Sequence, residues 1–271
     1  MNYDAYYKLC REKYAQTTQC EFDHDRFYGN PVVLLPVDKF TPEYGDTVNV
    51  LSQKVKKDFD SVIDSSDDGI MVKHNNIWKF TEELTKLSNI IVPYLEEVKY
   101  CCNLYVDKIY IYRTLPLDKR VSSYEWHYDN NPNEVIKTLI YLNDVTLDNS
   151  PFEYLMAPND KGILGACTRR GPDYWHPAPN NSRVGPQVEK LLKEGFNANK
   201  VTGAKGTSLS FINNAIHRVN PIIAGYRDVI NIRVKPTIEK PPQYLSPEWT
   251  TSYEIPGYVN PDPTLAWSVR H

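Results

Sequence analysis

The feature that most constrains the fold is a change of hydrophobic period near residue 105. Before it, apolar residues recur at helical spacing. From Thr47 to Ile63, Val48, Leu51, Val55, Phe59 and Val62 fall at i, i+3, i+4, the stripe of one buried helix face. A second stripe, Leu84, Leu87, Ile91, Leu95 and Val98, predicts a helix from Thr81, with Glu82 and Glu83 in its first turn and a kink at Pro93. Residues 3–18 predict a further helix. After residue 105 the period becomes two. Asp107–Arg113, Val135–Leu142, Thr207–Ile212 and Val229–Val234 are rich in β-branched and aromatic residues and predict short strands. A chain with this order builds a β-rich α+β domain in which the N-terminal helices cover a sheet.

The expected organisation is one domain spanning 1–271. Residues 1–104 form a mainly helical support, 105–235 the β core, and 236–271 a segment that wraps it. That last segment holds seven prolines and five aromatics, too many aromatics for a free tail. A long insert at 157–185, with Arg169, Arg170, Tyr174, Trp175 and His176, interrupts the core and reads as a lid. A helix is expected at Pro186–Glu194, ended by Gly195.

Hydrophobic residues make up 41% of the chain, enough for a core. A net charge of −3 gives no footprint for nucleic acid. No run approaches the roughly 18 apolar residues of a membrane span. The N-terminal Met-Asn-Tyr-Asp-Ala-Tyr-Tyr-Lys lacks the apolar stretch of a secretory signal. Five cysteines, an odd number without a Cys-x-x-Cys, predict reduced thiols rather than a disulfide framework. Together these predict a cytoplasmic protein without nucleic-acid or membrane partners.

The candidate chemistry begins at residues 124–130, Tyr-Glu-Trp-His-Tyr-Asp-Asn. His127 and Asp129 are either two polar residues on a strand edge or two ligands of one ion. On an extended chain, residues i and i+2 point to the same side, so both side chains reach one ion. His217 stands just beyond the strand at 207–212 and is the candidate third ligand. Two neutral imidazoles and one carboxylate on one face of Fe(II) leave three coordination positions open. Arg227, in Gly-Tyr-Arg ahead of the last strand, carries a planar fork suited to a carboxylate. It fits the distal carboxylate of a co-substrate that chelates iron through a 2-oxo acid, which suggests 2-oxoglutarate. Its alternatives are a structural ion pair with Asp228 or a carboxylate of the lid, or replacement by Arg233 as the inward arginine.

Four stretches carry a resemblance to a known family: Trp-His-Tyr-Asp (126–129), Leu139–Phe152, Gly206–His217 and Gly-Tyr-Arg (225–227). In this order they resemble the phytanoyl-CoA dioxygenase-like branch of the Fe(II)/2-oxoglutarate-dependent oxygenases. The resemblance covers about 120 residues. It implies a double-stranded β-helix (jelly-roll or cupin-type) core. It further implies that His127, Asp129 and His217 bind the metal and perform catalysis, and that Arg227 binds 2-oxoglutarate. The implied reaction consumes O2 and hydroxylates an unactivated C–H bond, with succinate and CO2 as co-products. Desaturation or ring closure remains open. A carboxylate ligand at Asp129 disfavours halogenation. Asn149-Ser150-Pro151 departs from the family's Asn-Gly-Pro, and Leu-Met-Ala-Pro-Asn-Asp-Lys replaces a Pro-Gly-Ser-His turn.

Two further positions have open readings. Lys137 either faces inward, toward 2-oxoglutarate or an acidic substrate, or faces solvent. Tyr112 either lines the pocket or packs in the core. With Arg169 and Arg170, Lys137 points to a small-molecule substrate bearing a carboxylate. The competing functions are a non-catalytic binding protein on the same fold, and a zinc hydrolase using the same three ligands and water.

Overall fold

The computed structural model describes residues 3–61, 71–74, 76–116, 122–129, 135–165, 168–169, 175–176 and 182–245. The expected wrapping segment lies largely outside these residues, and so do residues 166–167, 170–174 and 177–181 of the expected lid and the side chains of Arg169, Arg170, Tyr174, Trp175 and His176.

The helices are α1 (Tyr3–Ala15), α2 (His24–Gly29), α3 (Pro42–Ser61), α4 (Thr81–Leu95) and α5 (Gly185–Lys193). The strands are β1 (Val32–Leu34), β2 (Met71–Lys73), β3 (Asn103–Thr114), β4 (Ile136–Tyr141), β5 (Phe152–Met156), β6 (Thr168–Arg169), β7 (Trp175–His176), β8 (Asn197–Val201), β9 (Ser208–Ile212), β10 (His217–Val219) and β11 (Arg227–Thr237). An antiparallel six-stranded sheet runs β1-β9-β4-β11-β3-β2, and a three-stranded sheet runs β10-β5-β8. β6 and β7 pair separately. Among the described residues the two sheets do not close into a continuous barrel.

The larger sheet packs apolar residues on both of its faces. One face meets the helices. Ile230, Ile232 and Val234 of β11 pack there with Leu51 and Val55 of α3 and Leu84, Leu87 and Ile91 of α4. All of these are fully buried. Truncating one of them, such as Leu87→Ala, costs about 2–5 kcal/mol for lost burial and the cavity left behind. The other face turns toward the smaller sheet. Leu139, Tyr141, Leu209, Phe211 and Val229 form a second cluster there with Phe152 and Val201. Alternate residues of one strand therefore serve two cores.

The helix at 81 begins where the sequence places it. The chain runs through Pro93 to Leu95 and then widens into a π-turn over Glu96–Tyr100. That turn closes with Cys101 in a left-handed conformation, φ 47°. There the chain departs from the reduced-thiol expectation. Cys101 is joined to Cys20 in a disulfide, with Cα atoms 5.5 Å apart across 81 residues of sequence. Spacing along the chain carries no sign of this, because the turn and the segment after α1 meet only in the folded structure. Cys10 and Cys102 are buried and take no part in a disulfide among the described residues, and Cys167 lies outside them. Disulfides belong to oxidising surroundings, so cysteine usage gives no support to the cytoplasmic expectation. No helix among the described residues is long and apolar enough to cross a membrane.

Candidate metal centre

His127 and His217 are positioned by the backbone before their side chains matter. They face each other as a reciprocally hydrogen-bonded pair: His127 N–H donates to the His217 carbonyl at 2.9 Å, and His217 N–H to the His127 carbonyl at 2.8 Å. Directly opposed residues of an antiparallel pair project to one side. The rings accordingly lie with centroids 4.3 Å apart. His217 also opens β10 against Tyr154 of β5, which ties this pair to the smaller sheet. Asp129 follows His127 by two residues, and its N–H is fixed to the Asn213 carbonyl at 2.9 Å. Extended backbone then brings its carboxylate to the same side as His127.

The three side chains offer ligand atoms within 4.8 Å of one another, and they are the group with metal-binding geometry among the described residues. Each ring is oriented by its Nδ1. His127 Nδ1 lies 2.8 Å from the Glu125 carbonyl, and His217 Nδ1 lies 2.7 Å from the Ala215 carbonyl. A carbonyl only accepts, so Nδ1 carries the proton and Nε2 presents its lone pair. Burial, reinforced by the neighbouring His217, pulls the His127 pKa down to about 3. Burial also lowers that of His217. Both imidazoles are therefore neutral, the form that binds metal. For Asp129, burial raises the pKa, but Lys137 and then His217 and His127 outweigh it and hold the carboxyl well below its ordinary range. Two neutral nitrogens and one ionised carboxylate make a donor set suited to a divalent ion.

The triad opens into a cavity of about 180 Å³, whose lining includes Tyr112, Lys137, Leu139, Phe152, Phe211 and Arg227. Phe152 stacks on the His217 ring at 5.3 Å and Phe211 meets it at 4.9 Å, so the imidazole is held by aromatic walls. Lys137 is inward: its Nζ donates to Asp129 Oδ2 at 2.7 Å. Tyr112 is half-buried and faces the cavity.

Arg227 is fully buried. Gly225, at φ 75°, makes the turn that starts β11 and delivers it. Its Nη1 donates to the Ser150 carbonyl and its Nη2 to Thr114 Oγ1 at 3.3 Å, while Nε has no partner. No carboxylate among the described residues pairs with it. Asp228 and Arg233 are both engaged elsewhere, and the lid's Asp173 lies outside the described residues. Asp228 turns to the helix face, where it receives a two-pronged contact from Arg113 at 2.7 and 2.8 Å. Arg233 is held by Asp107. A buried guanidinium without a counter-charge is costly unless an anion arrives. Together with the neutral imidazoles and the ionised Asp129, it fits a metal chelated by a dicarboxylate.

The Ser150 position also explains a departure from the family pattern. Ser150 has φ 70°, the left-handed region where glycine is at ease. Serine there is tolerated because the loop is tied down: Asn149 Oδ1 accepts from Thr146 N–H at 2.6 Å, and Asn149 Nδ2 donates to the Asp144 carbonyl at 2.7 Å. The Ser150 carbonyl is thereby aimed at Arg227.

Among the lining residues that were not anticipated, Asn231 is the one with an unpartnered polar atom. Asn231 lies four residues beyond Arg227 on β11, lines the cavity, and is 7% exposed with an unpartnered Oδ1. The signal was present in the sequence: Asn231 shares the parity of Arg227 in an otherwise apolar strand. Of the other histidines, His74 contacts Asp58 at 2.8 Å and His24 is exposed, and neither approaches the triad.

No family model matches the sequence, and no curated protein matches it. Solved structures do. The carbocyclase SnoK from nogalamycin biosynthesis, described as non-haem and α-ketoglutarate dependent, superimposes with a TM-score of 0.54. It is 13% identical, over 85% of this chain and 94% of its own. EctD from S. alaskensis with bound Fe gives 0.52 at 13% identity, over 83% of this chain and 81% of its own. EctD with 2-oxoglutarate and 5-hydroxyectoine gives 0.51 at 13% identity, over 81% and 78%.

This is the fold of the iron and 2-oxoglutarate oxygenases. The double-stranded β-helix expected from the sequence is thus the architecture found, with two antiparallel sheets supported by helices.

Proposed function

We propose that the protein is an Fe(II)- and 2-oxoglutarate-dependent dioxygenase acting on a C–H bond of a small molecule. One observation carries this reading: a cavity between the two sheets joins a His-Asp-His donor set to a buried arginine that has no counter-charge among the described residues. His127, Asp129 and His217 would hold the iron. Arg227 would take the distal carboxylate of 2-oxoglutarate, with Tyr112 beside it on the cavity wall. Bound iron, with 2-oxoglutarate and O2, would supply the oxidant, leaving succinate and CO2. The chain's own part is to orient and to exclude water. Phe152, Phe211 and Leu139 form a dry wall, in which electrostatic contacts are stronger than in bulk solvent. Fixing the substrate C–H near the metal would turn an encounter into an oriented reaction.

Hydroxylation is the default outcome, since Asp129 occupies the position a halide would need. EctD, solved with 5-hydroxyectoine, supports hydroxylation on this fold, and the carbocyclase SnoK supports ring closure on it as well. The substrate we favour is small and carboxylate-bearing, handled inside the cell. A zinc hydrolase leaves Arg227 without a task.

The test is succinate formation from 2-oxoglutarate with added Fe(II), measured with and without His217→Ala. Turnover in the parent protein, lost in the variant, supports the dioxygenase. Absence of turnover in both folded samples favours a binding protein.

A further inference from the structure

We propose that Lys137 is a positioning residue for the metal-ligand carboxylate: its ammonium occupies Oδ2 of Asp129 and so makes Asp129 a single-oxygen ligand. The inference rests on the metal-site reading above and reassigns Lys137 from a contact of the co-substrate to a partner of the ligand.

The two carboxylate oxygens are already distinguished by their surroundings. Oδ2 takes the Lys137 bond at 2.7 Å, while Oδ1 lies 3.9 Å from His127 Nε2, on the side of the imidazoles. Both side chains are 18% exposed, so the pair is largely shielded from water and from screening. Asp129 is also held at its backbone, through its N–H to Asn213. With the main chain and one oxygen fixed, the other oxygen lies on the side of His127.

The position of Lys137 follows from β4. It shares the inward face with Leu139, and its cross-strand neighbour on β11 is Arg233. The nearest inward acid on that neighbouring strand pair, Asp107, is taken up by Arg233 and Lys235. Asp129 is the carboxylate to which Lys137 donates.

The consequence is a matter of coordination number. A carboxylate bound through one oxygen leaves three of six positions free on the ion, whereas one bound through both leaves two. A co-substrate that chelates through two atoms and an O2 molecule need three. Partners that orient a ligand in this way govern metal affinity as well.

The experiment uses the full chain and Co(II) alone as the first probe, titrated anaerobically into the parent protein, Lys137→Met and Lys137→Arg, with folding compared by circular dichroism. Lys137→Met keeps the length of the side chain but donates nothing, and roughly a 10- to 100-fold loss of Co(II) affinity is expected. Lys137→Arg, which still donates, should recover most of it. At saturating Co(II), 2-oxoglutarate affinity of Lys137→Met should stay within about threefold of the parent. Unchanged Co(II) affinity with weakened 2-oxoglutarate binding would assign Lys137 to the co-substrate and overturn the proposal. Tighter Co(II) binding in Lys137→Met would show the ammonium to be a mere repulsive charge, and would overturn it too. Failure of the metal-site reading is separately visible, because the parent protein would then bind no more Co(II) than His217→Ala.

Discussion

Two arginines on one strand, Arg227 and Arg233, face the same interior and are both nearly inaccessible, at 0% and 4% exposure. Their surroundings differ completely. Arg233 forks onto Asp107, with Nε at 2.8 Å and Nη2 at 2.5 Å, and Lys235 reaches the same carboxylate at 2.7 Å. Arg227 meets a carbonyl and a hydroxyl, and among the described residues no carboxylate pairs with it. The first end of the strand meets its electrostatic needs internally. The second leaves a charge unmet, and a charge unmet in a cavity is a place for a ligand. Identical residue types six positions apart thus stand one in an ion cluster and the other facing a cavity, and the difference lies in the neighbouring strands rather than in β11.

The sharpest way to break that contrast is Arg233→Met. It would leave Asp107 with Lys235 alone in a buried site, and a loss of about 3 kcal/mol is expected from removing one member of a buried ion cluster. Urea unfolding measures it, and a loss below about 1 kcal/mol would mean that Arg233 is not needed to compensate Asp107. Arg227→Met should behave in the opposite sense. Its 2-oxoglutarate affinity, measured on Co(II)-loaded protein, should fall by about 100-fold, roughly 2.7 kcal/mol, with Co(II) affinity intact. In the parent protein, 2-oxoglutarate at a hundred times its Kd should add about 2.7 kcal/mol of stability through linkage, and in Arg227→Met at the same concentration almost none. Unchanged 2-oxoglutarate affinity in this variant would mean that the anion is held elsewhere.

The smallest expected effect concerns the loop that holds Arg227. Ser150→Gly relieves the left-handed backbone and removes a buried hydroxyl that has no partner. A gain of about 1 kcal/mol is expected, without change in 2-oxoglutarate affinity. A loss of stability instead would show that the serine side chain supports the loop.

Much of the site was legible before the fold. His127 and Asp129 were readable because a two-residue spacing on extended chain has only one geometric outcome. Arg227 was readable because a charged residue at the start of an apolar strand has few places to go. The period change at 105 separated helices from sheet for the same reason, since side-chain direction is a local property of the backbone. β1, β2, β5, β8 and β10 escaped detection: β1, β2 and β10 are three residues long, and short strands give too few alternations to register. Asn231 was overlooked although its parity with Arg227 marked its face.

What the sequence determined by itself is the identity of the donors and the side of the chain from which each projects. Tertiary structure decided which of them meet. It joined His127 to His217 through a reciprocal backbone pair, gave Asp228 to Arg113 and Asp107 to Arg233, and closed Cys20 onto Cys101. Each of these is a pairing between segments distant in the chain. Local spacing fixes direction but not neighbours, and it is the neighbours that set which buried charge is neutralised and which is left to bind.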